Sequence, residues 1–179
     1  DLNKIWQQEQ TLPESEKRLD IKSSCIDKNN QVHFLVKRFH DDSRKDGLKD
    51  GIINHHWEVF TINGESSKIE RSKISLQDDL LFKDLKFFEG ADDDIIITGY
   101  YAKSQKDAAA AGAFLFYLSN AGEEIDAIIT PFEQEEFKKF VAESKKDKKD
   151  KSKEPEEPTV RNLVVRNVEI LEDGSITTA

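Results

Sequence analysis

An all-β fold of repeated, four-stranded antiparallel units is what this sequence predicts, on three observations. Runs of β-branched and aromatic residues alternate with turn-forming clusters along most of the chain. One pattern, in which an apolar run, a polar turn and a charged run lead to an apolar run beside an acidic or amide-rich turn, recurs three times. Only residues 132–158 carry the composition of anything else.

The second copy of the pattern is the clearest. Trp57-Glu58-Val59-Phe60-Thr61-Ile62 runs into Asn63-Gly64-Glu65, and the unit ends at Ala91–Gly99 with Asp92-Asp93-Asp94 in its turn. The third runs from Phe114–Ser119 into Asn120-Ala121-Gly122-Glu123 and ends at Ile170–Ile176. The first enters late, at Asp1–Trp6, and ends at Ile26–Leu35.

Taken in order, the strands are expected near residues 2–7, 19–26, 32–39, 55–62, 68–75, 82–88, 95–102, 113–119, 124–130, 161–170 and 175–178. Residues 82–130 read as one complete unit. Phe82–Phe88 alternates and suits a half-buried strand, whereas Ile95–Tyr101 and Ala113–Ser119 are apolar on both faces and suit the centre of a sheet. Glu124–Ile128 is more polar and suits an outer edge, where charge discourages pairing with other chains. Long polar loops separate the second and third strands of a unit, at His40–Asn54 and again at Lys103–Gly112. Buried inner strands with a polar outer strand are the layout of a β-propeller blade, and the chain holds about two and a half such units.

Residues 132–158 form an expected insertion. Phe132, Phe137, Phe140 and Val141 are spaced for a short amphipathic helix over 133–144. Lys145–Pro158 then carries six lysines and five acids with no apolar residue. Such a stretch cannot offset its ordering entropy by burial and is expected to be flexible.

With 179 residues the chain is read as a single domain over 1–179. It lacks methionine and stops inside a strand-like run, which suggests a piece of a longer protein. The net charge of −9, with basic and acidic residues intermixed, argues against a nucleic-acid partner and an anionic membrane surface. No apolar run reaches the ~18 residues of a membrane span. The single cysteine, Cys25, cannot form an intrachain disulfide and reads as a small core hydrophobe.

Candidate chemistry is sparse. Asp92, Asp93 and Asp94 are the sharpest acidic cluster and the candidate calcium ligands, although turn propensity alone explains acids there. His55 and His56 are adjacent, so on a strand they face opposite ways and cannot readily share a metal. The spacing of zinc sites, P-loops, dinucleotide folds and nucleophile elbows is absent from the sequence. Trp57, Tyr100 and Tyr101 flank the long loops and are the candidate ligand-binding residues, for a carbohydrate or a peptide.

From Leu12 to Thr177 the chain resembles a family of Bacteroidetes repeat proteins. The resemblance is carried by Asp27–Leu35, Lys83–Phe87, Ile96–Tyr101, the lysine-rich insertion and Glu172–Ile176. It implies a propeller-like fold in an exported, periplasmic or cell-surface protein, and it carries no assigned activity. Closed propellers need four or more blades, so a neighbouring segment or a second chain would supply the missing edge. The expected function is a non-catalytic binding or scaffold module that self-associates through open blade edges. The alternative is a polysaccharide hydrolase or lyase with carboxylates in a propeller cleft.

Overall fold

The chain first turns back on itself between Asp27 and Gln31. Asp27 N–H bonds to the Gln31 carbonyl at 3.0 Å, and Asn30 takes the left-handed conformation (φ 59°) that amide side chains tolerate. This turn joins β1 (Leu19–Ile26) to β2 (Val32–Phe39). The computed structural model describes residues 7, 9–49, 52–64, 66, 68–90, 94–104, 109–119, 124–133, 135, 160–161, 164–166, 168–171 and 175–178.

The same closing hydrogen bond, from a residue to the carbonyl four positions on, recurs in two more hairpins. Gly90 N–H bonds to the Asp94 carbonyl at 2.7 Å between β7 (Leu81–Glu89) and β8 (Ile95–Ala102). Leu171 N–H bonds to the Ser175 carbonyl at 2.8 Å between β13 (Val168–Ile170) and β14 (Ile176–Thr178). The three turns fall where the sequence pattern repeats.

Two antiparallel four-stranded sheets follow. In the first, β1 and β2 continue into β5 (His55–Ile62) and β6 (Ile69–Ile74), in the order β1-β2-β5-β6. In the second, β7 and β8 continue into β10 (Gly112–Leu118) and β11 (Glu124–Pro131), in the order β7-β8-β10-β11. Their internal registers match: Val32 opposes Ile62 and Phe34 opposes Phe60, as Ile95 opposes Leu118 and Ile97 opposes Phe116. Each first strand also carries a bulge, at Lys22 between Ile21 and Ser23 and at Lys83 between Phe82 and Asp84. Beside the second bulge the strands approach so closely that a methyl group at Gly99 would overlap the Asp84 carbonyl and lie 2.8 Å from Leu85 Cα.

Between the second and third strands of each sheet the chain makes an excursion on the same edge. In the first sheet it is the hairpin β3 (Leu48–Lys49) and β4 (Ile52–Ile53). In the second it is β9 (Ala109–Ala110), paired with β12 (Val160–Arg161). The first excursion is pinned by the buried Asn54 amide, which donates to Asp41 Oδ1 at 2.8 Å, Ser43 Oγ at 3.2 Å and the Lys45 carbonyl at 3.2 Å.

Side-chain alternation sends Leu35 and Val59 of the first sheet onto Ile95, Ile97, Phe114, Phe116 and Leu118 of the second. All seven are 2% exposed or less, so this interlayer is the main core, each side chain contributing about 1.5–3 kcal/mol. Val36 and Phe60 point out of the other face of the first sheet, where Leu12 packs on a smaller cluster.

The single strand expected over 161–170 is instead two short ones, β12 and β13. Between them Val165 is 1% exposed, and its N–H bonds to Asp84 Oδ2 at 2.8 Å. The β-branched pair Val164-Val165 thus reads as a strand in sequence, but Val165 serves as an irregular anchor on β7. The strand expected at 2–7 and the helix and lysine-rich insertion expected within 132–158 lie largely outside the described residues, of which Gln7, Phe132, Glu133 and Glu135 are included. Among the described residues no helix is long and apolar enough to cross a membrane.

Candidate functional site

At one end of the interlayer the two sheets part to leave a cleft of about 450 Å3. Its floor comes from Lys37 on β2, His55 and Trp57 on β5, and Phe82 on β7. Leu76 and Leu80, from the connection between the sheets, close the back. Asp46 and Ile53 of the first excursion and Ser104 of the second contribute to the mouth.

The floor is aromatic. His55 meets Trp57 edge-on at 6.3 Å, Trp57 meets Phe82 at 6.5 Å, and Phe82 meets Phe114 at 4.9 Å, so the rings run from the mouth into the core. Lys37 opposes Trp57 in the register, and its ammonium lies over the Phe39 ring at 5.5 Å and the Trp57 ring at 5.7 Å. The residue is only 8% exposed, so its charge is held by those faces and by an ion pair to Asp46. Asp46, by contrast, belongs to the excursion, and its side chain is 65% exposed.

Burial, reinforced by the Lys37 charge, pushes the His55 imidazole down to about 4 despite the pull of Asp46, so it is neutral at physiological pH. His55 Nδ1 is buried without a hydrogen bond and lies 3.6 Å from Asp46 Oδ1. Burial works to raise the Asp46 carboxyl, but the Lys37 hydrogen bond and the neighbouring positive charges hold it below its ordinary value.

The other face of the first sheet carries a separate charged row. Arg38 donates to Glu58 at 3.1 Å and pairs with Glu14, and His56 Nε2–H donates to Glu58 at 2.6 Å. Burial favours a neutral Glu58, yet these two donors hold its carboxyl below the usual range. His40 stacks obliquely on His56 at 5.1 Å, and burial followed by the His56 and Arg38 charges lowers its imidazole. His55 and His56 thus face opposite ways, one to the cleft and one to this row, as adjacent strand residues must.

A second polar cluster has the chemical order of a nucleophilic triad. His33 Nε2 lies 3.1 Å from Asp27 Oδ2, and His33 Nδ1 lies 2.9 Å from Thr61 Oγ1. Because the carboxylate only accepts, Nε2–H donates to Asp27, and Nδ1 shares a hydrogen bond with the Thr61 hydroxyl. Asp27 Oδ1 also accepts the Gln31 N–H at 2.7 Å. But His33 is 0% exposed and Thr61 5%, so no substrate reaches the hydroxyl. The cluster locks the first hairpin turn onto β5.

The expected ligand-binding aromatics are not brought together. Trp57 lines the cleft. Tyr101 faces the same interlayer but is 3% exposed, within the core. Tyr100 points out of the opposite face, 6.0 Å from Phe132. Asp92 and Asp93 lie outside the described residues, and the Asp94 carbonyl closes the turn with Gly90. Among the described residues, no three His, Cys, Asp or Glu side chains are grouped to hold a metal ion. Cys25 packs half-buried on the core, and burial, then the charges of Glu89 and Asp27, push its thiol up to about 12.

Sequence reasoning missed Lys37 and Asp46. The signal for Lys37 was its position: a cation in the run Val32–Phe39 with Leu35 and Phe39 on its own face. No protein family, curated protein or solved structure matches this chain.

Proposed function

We propose that this chain is a non-catalytic binding module, a part of a propeller-like repeat protein, whose ligand seat is the cleft between its two sheets. The observation that carries this reading is the Lys37–Asp46 pair. A buried ammonium is fixed between two aromatic faces, while its carboxylate partner sits on an exposed excursion that can be displaced. A ligand carboxylate takes the place of Asp46 on Lys37, and the body of the ligand lies on Trp57. An acidic sugar of the uronate type fits both demands, one charge and one flat apolar face.

Binding rather than hydrolysis is favoured because Asp46 is the one carboxylate among the described residues that line the cleft. Glycoside cleavage needs two acids facing each other across the bond. Assignment to an exported bacterial protein is supported by the sequence resemblance of Asp27–Leu35, Lys83–Phe87 and Ile96–Tyr101.

Calorimetric titration of the chain with glucuronate and galacturonate, and with glucose as the neutral control, tests the reading. Uronate binds, glucose binds at least about tenfold more weakly, and Trp57→Ala and Lys37→Met each reduce uronate affinity about tenfold or more. Equal affinity for glucose and uronate, or uronate binding untouched by both substitutions, refutes it. So does the absence of binding by any of the three sugars.

A further inference from the structure

The repeat makes the faces of the two sheets equivalent, and the face that a whole sheet covers in one is covered in the other, among the described residues, only by the Leu12 segment, which leaves Phe60 and Ile62 buried but Ile21 exposed. Superposing the turn Asp27–Gln31 on Gly90–Asp94 places Val32 on Ile95 and Phe34 on Ile97, and the cross-strand partners then place Phe60 on Phe116 and Ile62 on Leu118. In the second sheet these positions are buried against the first sheet. In the first sheet they line an open groove of about 290 Å3. Ile21, at its rim, is 47% exposed, and a buried Gln10 amide nitrogen beside it has no hydrogen-bond partner.

The covering face is also present twice. Leu35 and Val59, which cover the second sheet, superpose on Thr98 and Leu115. Val165 and Phe132 occupy one end of that outward face, at Asp84 and Tyr100. Beyond them Leu115 and Tyr117 are half-buried, and Ile128, directly across from Leu115, is 47% exposed.

We infer that the groove on the first sheet docks the Leu115–Ile128 face of a second copy of this chain, head to tail, repeating between copies the contact that already joins the two sheets within one. Two copies of one surface meeting face to face would not reproduce that contact, so the association is heterologous, and it forms a ring or a longer row according to its rotation. The occupant is chosen by the chain itself: the sheet face that fits this groove's counterpart at Ile95–Leu118 is one that every copy carries a second time. The inference is independent of the ligand cleft, which lies between the sheets of a single copy.

Light scattering over a concentration series, with three single variants, tests it. Wild-type chain gains mass with concentration. Ile21→Glu and Ile128→Glu each raise the dissociation constant at least about tenfold, while Ile52→Glu, 69% exposed on the small hairpin, leaves it unchanged. An equimolar mixture of the Ile21→Glu and Ile128→Glu chains regains association, because each supplies the face that the other lacks. All three substituted positions are surface-exposed, and circular dichroism confirms that each variant retains the fold. One chain mass at every concentration overturns the inference. Association insensitive to Ile128→Glu, or a mixture no better than either variant alone, overturns it equally.

Discussion

Thr61→Val removes one hydroxyl from the buried Asp27–His33–Thr61 cluster while nearly preserving shape. Thr61 is 5% exposed and His33 is wholly buried, so water cannot replace the lost partner at His33 Nδ1. The cost is that of a buried polar atom left unpaired, about 1–3 kcal/mol. The second sheet provides an internal control. Thr98 is equally buried, and its hydroxyl donates to the Phe114 carbonyl at 2.9 Å. That carbonyl belongs to a central strand, so Thr98→Val strands no side-chain acceptor and costs only about 0.5–1.5 kcal/mol. Urea unfolding of both variants, followed by far-ultraviolet circular dichroism, measures the difference. At about 2 kcal/mol, Thr61→Val lowers the melting temperature by about 4–8 °C for a chain of this size. A Thr61→Val cost equal to or below that of Thr98→Val would refute the claim that the cluster fastens the first turn to its sheet.

Two further outcomes are expected. Below its ordinary value of 6.5, His55 takes up a proton in the unfolded chain but not in the folded one until about 4, so stability falls as the pH drops through that window. His55→Gln flattens the slope there, and an unaltered stability profile between pH 6.5 and 4 would contradict the burial of a neutral imidazole. Cys25, with its thiol raised to about 12, holds on the order of a thousandfold less thiolate at pH 8 than an ordinary cysteine and reacts with a disulfide reagent at least about tenfold more slowly, its more basic thiolate offsetting part of the difference. Urea restores the ordinary rate, and fast labelling of the native chain would show an accessible thiolate.

The strands were legible because their signal is local. Alternation and β-branched enrichment placed the eight strands of the two sheets to within a residue or so, and the recurring turns at Asp27–Gln31, Gly90–Asp94 and Leu171–Ser175 set the repeat. Where a local signal served another purpose the reading failed, as at Val165, whose apolar, β-branched side chain anchors a link instead of pairing in a strand. The site was less legible because it depends on which face and which register a residue takes. Tyr100 and Tyr101 read together as an aromatic pair, but a strand sends them to opposite sides. The burial of Lys37 depends on Trp57 opposite and on Asp46 in the excursion. Asp27, His33 and Thr61 meet only once β2 and β5 are in register.

The position of the two excursions has an evolutionary consequence. Both leave the sheet on one edge, between the second and third strands, after the ladder of each hairpin is complete. Asp46, Ile53 and Ser104 at the mouth come from these segments, whereas Lys37, Trp57 and Phe82 on the floor come from strands. Inheritance can therefore lengthen, shorten or exchange the mouth without moving a hydrogen bond of the sheets. The floor can change only at the cost of the shared core, so descendants of such a chain would diverge in what they admit before they diverge in what they grip.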